Sequence, residues 1–172
     1  MKTESLNAVE PSIAKTQDSN RSAARFESMP QTITLKNILV PLDFSEMALK
    51  ALDYAVSFAR QYDAKITLLH VDKLKEYSPV LPDPQPLGAE LHAEIIHHLE
   101  KIRDENIPAD VAVDVTVRHN FVFDGILAAA RETEADLIIT TTHGHTGLKH
   151  MLLGSTAESI VRRAPCPVFV IR

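Results

Sequence analysis

Apolar positions fall into two rhythms along this chain. Residues 36–40, 64–71, 136–140 and 168–171 are short, nearly continuous apolar runs bounded by turn-forming or polar residues, as expected for strands buried on both faces. Between them, apolar residues recur every three or four positions. Ala48, Leu52, Ala55 and Ala59 define one helical face, and Leu91, Ile95, Leu99 and Ile102 define a second within residues 88–106. Residues 124–133 form a short alanine-rich helix, and another helix opens after Gly154 and stops at Pro165-Cys166-Pro167. Residues 110–118 differ, alternating Val111, Val113, Val115 and Val117 with Ala112, Asp114, Thr116 and Arg118, the pattern of a half-exposed edge strand. Strands alternating with helices predict an α/β layer, and right-handed crossovers make the sheet parallel with helices on both faces.

Two stretches stand outside this pattern. Residues 1–34 are rich in polar and mixed-charge residues and too poor in large apolar ones to build a core, so they are expected to be a disordered tail ahead of one domain, residues 35–172. Residues 73–87 carry Pro79, Pro82, Pro84 and Pro86 and are expected to be a loop, with a lid over a ligand or a plain surface excursion as the two readings.

Composition narrows the function classes. The formal net charge of -5 argues against a general nucleic-acid or anionic-membrane binder, which needs a basic face. Cys166 is the only cysteine, so no internal disulfide forms, and no apolar run is long enough to span a bilayer. A cytoplasmic protein is the expectation.

The candidate chemistry lies in the last strand–loop–helix unit. The run ending in Thr140 leads into a loop with Gly144 and Gly147, two of the five glycines, and Gly154-Ser155-Thr156 opens the next helix with a hydroxyl N-cap candidate. Free N–H groups, hydroxyls and the positive end of a helix dipole around one point can cradle an anion such as phosphate. Turn-forming glycines and an ordinary helix cap account for the same residues equally well. Near the N-terminus, Asp43 or Ser45 caps the first helix, with Asp43 and Glu46 spaced as a capping box.

These separated motifs together resemble the universal stress protein family over about residues 36–172. Ile38-Leu-Val-Pro41-Leu-Asp43-Phe-Ser45 resembles its opening strand and exit, Thr67-Leu-Leu-His70-Val71 its second strand, and Gly144, nine residues, Gly154, Ser155 the second half of its nucleotide loop. The family's first loop glycine is replaced by Thr141, whose β-branched side chain resists positive φ and close approach but whose hydroxyl can donate to a phosphate. The resemblance implies a single doubly wound five-stranded parallel sheet of order 3-2-1-4-5, with a ligand at the switch point between the first and fourth strands. It implies an adenine nucleotide, ATP with or without Mg2+, or AMP or ADP. The implied binding residues are Pro41, Leu42, Asp43, Val71 through its main chain, Thr140, Thr141, Gly144, His145, Gly154, Ser155 and Thr156. It also implies a homodimer through the last strand, residues 168–171.

The remaining patterns exclude more than they add. No Gly-Lys-Ser/Thr follows the loop, so it is not a Walker motif, and Ser155 lacks the Gly-x-Ser-x-Gly elbow of a hydrolase nucleophile. His92, His97 and His98 lack i, i+4 spacing, and no cysteine or acidic residue accompanies His143, His145 and His150 in sequence, so no metal site is expected. With no general base in view, the expected function is an ATP-binding stress-response regulator signalling through its nucleotide state and its dimer or partner contacts, with at most slow hydrolysis. The alternative is a non-nucleotide, dimeric interaction module of the same fold.

Overall fold

The computed structural model describes residues 33–73, 88–142 and 154–172. The expected tail, the proline-rich loop and the 143–153 segment, with Gly144, Gly147, His143, His145 and His150, lie outside the described residues apart from the edges of the first two. Among the described residues, five strands, β1 (Asn37–Pro41), β2 (Lys65–Lys73), β3 (Val113–Asn120), β4 (Leu137–Thr141) and β5 (Val168–Ile171), alternate with four helices, α1 (Glu46–Tyr62), α2 (Ala89–Asn106), α3 (Val122–Glu132) and α4 (Ser155–Arg163). All pairings are parallel and the strand order is β3-β2-β1-β4-β5, as expected from the sequence.

The period-2 geometry of the central strands divides the core between two faces. Ile38, Val40, Ile66, Leu68 and Ile139 point to one side and pack with Leu52 and Ala55 of α1 and Leu99 and Ile102 of α2. Leu39, Leu69, Val71 and Ile138 point to the other and pack with Ile126, Ala129 and Ala130 of α3 and Ile160 of α4. The continuous apolar runs follow from this, because β1 sits mid-sheet with Ile38, Leu39 and Val40 all fully buried.

Several local expectations are corrected. Of the two cap candidates, Ser45 takes the N-cap position of α1, its hydroxyl accepting from Ala48 N–H. The N-cap of α4 is Gly154, without a side-chain cap, so Ser155 is the first helical residue. Leu91 is 46% exposed because α2 reaches the core only from its second turn onward. Val111 is buried ahead of β3, and β3 itself is half-buried on both faces rather than cleanly alternating.

Candidate functional site

The carboxyl end of β1 runs directly into the turn that the motif predicts. Pro41 is its last residue, paired with Leu69, and the ladder closes one residue later where Leu42 N–H donates to the Leu69 carbonyl at 2.8 Å. The chain then turns away through Phe44, at φ 64°, a left-handed conformation unusual for an aromatic residue. Asp43 Oδ1 accepts from both Ser45 N–H (3.1 Å) and Ser45 Oγ (2.6 Å), tying the turn to the start of α1. The Phe44 ring stacks between His70 of β2 and His98 of α2, with both centroid separations 4.4 Å. His70 Nδ1 lies 2.8 Å from the Leu42 carbonyl oxygen. The sequence places His70 in a strand motif and His98 on a helix, but their relation to Phe44 exists only once three elements are packed.

β2 outruns β1. Its pairing with β1 ends at Leu69, whereas its pairing with β3 continues through Val71, Asp72 and Lys73. Successive residues of a strand aim their N–H and C=O groups at opposite neighbours. Since the Leu69 carbonyl faces β1, the main chain of Val71 faces the same side, beyond the point where β1 has turned off. Its side chain is buried on the α3 face, where a Cβ on Gly125 would fall 2.7 Å from Val71 Cγ1. Gly125 therefore lets α3 approach the end of β2, a requirement its position within an alanine-rich helix only hints at.

The β4 side is built by backbone contacts. Thr140 is buried and pairs with Val170, and Thr141 pairs with Ile171 as the last residue of β4, outside the left-handed region. Thr142 N–H donates to the Ile171 carbonyl (2.8 Å), and Gly154 N–H donates to the Thr142 carbonyl (2.8 Å). This pair of bonds sets the amino end of α4 against the end of β4, with Ser155 and Thr156 exposed in its first turn. Thus Pro41, Leu42, Asp43, Val71, Thr140, Thr141, Gly154, Ser155 and Thr156 all fall at or just beyond the carboxyl ends of β1, β2 and β4, while Gly144 and His145 lie outside the described residues. Among the described residues, this end offers main-chain donors and acceptors, hydroxyls, the Asp43 carboxylate and a helix N-terminus. That set suits binding a polar, anionic ligand.

Among the described residues, no three His, Cys, Asp or Glu side chains form a metal-holding group, and no helix is long and apolar enough to cross a membrane.

Comparisons with known proteins agree with this architecture. The chain is 30% identical over 142 residues to universal stress protein MJ0531 of Methanocaldococcus jannaschii, covering 80% of this chain and 82% of that protein. It superimposes on the hypothetical protein MJ0577, a test case for assigning biochemical function from structure, with a TM-score of 0.71 and 31% identity over 81% of this chain and 96% of that one. A more distant universal stress protein family protein from Arabidopsis thaliana, solved with AMP bound, shares the fold at a TM-score of 0.53 and 19% identity, covering 79% of this chain and 90% of that one. The sequence model of the universal stress protein family matches residues 34–172, the whole of the α/β layer described above, and the chain belongs to that family.

Proposed function

We propose that this protein binds an adenine nucleotide, ATP foremost with or without Mg2+, and AMP or ADP in its place, and acts as a stress-response regulator whose nucleotide state is read by its partners. The observation that carries the reading is the overhang of β2. The Val71 N–H and C=O face the gap left by β1, an arrangement suited to the paired donor and acceptor of an adenine edge. Asp43 supplies a carboxylate at the same end, and the exposed Ser155 and Thr156 hydroxyls with the α4 N-terminus supply the phosphate end. The AMP in the Arabidopsis relative supports an adenine ligand for the fold. Among the described residues no general base joins the set, and we read the site as one for binding with at most slow hydrolysis.

Replacement of the family's first loop glycine by Thr141 favours the second reading, a non-nucleotide interaction module. Against it, Thr141 occupies a regular strand position, so the threonine demands no strained backbone. Calorimetry of the full chain with ATP, ADP and AMP separates the two: micromolar binding is expected, and folded protein giving neither heat nor competition with any of them sinks the nucleotide reading. Ser155→Ala should weaken ATP binding by roughly 1–2 kcal/mol for a lost charge-assisted hydrogen bond. Thr141→Gly should also weaken it, whereas tightening would identify the threonine as an obstruction.

The same reading includes a homodimer through β5. This strand is an edge in the order β3-β2-β1-β4-β5, and Phe169 on it meets Tyr54 and Phe58 of α1 at 5.5 Å centroid separations, forming an aromatic surface beside an unpaired edge.

A further inference from the structure

We propose that His92 and His119, with Asp72 behind them, form a binding site for a divalent transition-metal ion of zinc character at the junction of α2, β2 and β3. His92 Nδ1, in the first turn of α2, faces His119 Nε2, near the end of β3, at 3.3 Å. Two nitrogens bound about 2.0–2.1 Å from one tetrahedral zinc stand roughly 3.3 Å apart, so the pair is spaced as two ligands of a single ion. The other ring nitrogen of His119, Nδ1, is buried without a hydrogen-bond partner and lies 3.6 Å from Asp72 Oδ2. A small closure would let Nδ1–H donate to that carboxylate. This is the outer-shell arrangement that holds a metal-ligating imidazole in one tautomer and leaves Nε2 free for the ion. Asp72 and His119 are register partners in the parallel β2–β3 ladder, so the sheet itself fixes their approach, and α2 brings His92 over them.

With two protein ligands and no third His, Cys, Asp or Glu completing a cluster among the described residues, the other coordination positions fall to water or an incoming ligand. The site is therefore of the weak, exchangeable kind, and metal would pin the start of α2 to the edge of the sheet. The sequence hides it because 26 residues separate His92 from His119, which the helical-spacing rule for metal pairs does not span.

The test is a titration of the chelator-stripped full chain with Zn2+ alone, followed by calorimetry and by the histidine ring signals in NMR. It is repeated with His92→Gln, His119→Gln and Asp72→Asn, and with His143, His145 and His150 all changed to Gln. The expected result is one equivalent of Zn2+ that moves the His92 and His119 ring signals together and survives the triple loop variant. Its affinity should fall at least tenfold in each single histidine variant and about tenfold in Asp72→Asn. No uptake near about 0.1 mM Zn2+, unmoved His92 and His119 signals in the wild-type chain, or uptake that persists without either histidine would each overturn the proposal. The wild-type ring signals decide the case even if a variant folds poorly.

Discussion

Gly154 approaches Thr142 so closely that a Cβ on it would lie 2.8 Å from the Thr142 carbonyl oxygen, the oxygen that also accepts the Gly154 N–H. Gly154 has φ -67° and ψ 153°, within reach of any residue, so glycine is required here for close approach and not for backbone freedom. Because the obstructing atom is backbone, a side chain at 154 must push α4 away from the end of β4.

Gly154→Ala should therefore destabilise the protein by about 1–3 kcal/mol, and Gly154→Val by more, even with no nucleotide present. For a domain of this size that lowers Tm by about 2–4 °C per kcal/mol. Thermal unfolding without ligand checks it. An unchanged midpoint with lost ATP binding would place the glycine's role in the ligand contact alone.

Gly125 and Val71 should be energetically coupled. Gly125→Ala gains roughly 0.8–1 kcal/mol of helix propensity but meets the buried, β-branched Val71 at 2.7 Å, so a net loss of about 1–2 kcal/mol is expected. The double variant with Val71→Ala should recover at least about 1 kcal/mol relative to additivity in a denaturant double-mutant cycle. Strict additivity would show that α3 relaxes away from β2 on its own.

Phe169→Lys should convert a dimer to monomers in sedimentation equilibrium. Phe169 is 36% exposed on the edge strand, and a charge there both removes the aromatic contact with Tyr54 and Phe58 and blunts edge pairing. A dimer that persists would move the interface to another surface.

Cys166 gives a pH signature. Burial, reinforced by the Asp136 carboxylate, pushes its thiol above the ordinary range. The native state then holds the proton more tightly than the unfolded chain, so its stabilising contribution is present below the unfolded thiol pKa and is lost as pH rises through the folded one. Stability should fall more steeply above about pH 9 for the wild type than for Cys166→Ala, and alkylation should lag behind a free thiol at the same pH. Equal slopes would show the thiol to be solvated.

Much of the architecture was determined by sequence alone. The apolar runs at residues 36–40 and 136–140 required strands buried on both faces, the 3.6 period of Ala48, Leu52, Ala55 and Ala59 required a helix over them, and α/β alternation with right-handed crossovers left a parallel sheet. Those signals are local and periodic, so one chain suffices to read them. The ends of elements were less legible. Ser45 rather than Asp43 takes the N-cap position of α1 because capping depends on which side chain reaches back to the free N–H groups of the first turn, here that of Ala48, and Leu91 is exposed because α2 begins beyond the core.

Only the tertiary structure decided what sits beside what. The Phe44 stack with His70 and His98, the overhang that leaves Val71's main chain facing past β1, and the Asp72–His119–His92 chain each join residues from different elements. No spacing rule links them. The same holds for Gly125 and Gly154, whose φ values or turn positions do not demand glycine, and whose need arises from Val71 and Thr142 packed against them. Periodicity reports which way a residue faces, whereas the distance between two faces is set only when the layers close on one another.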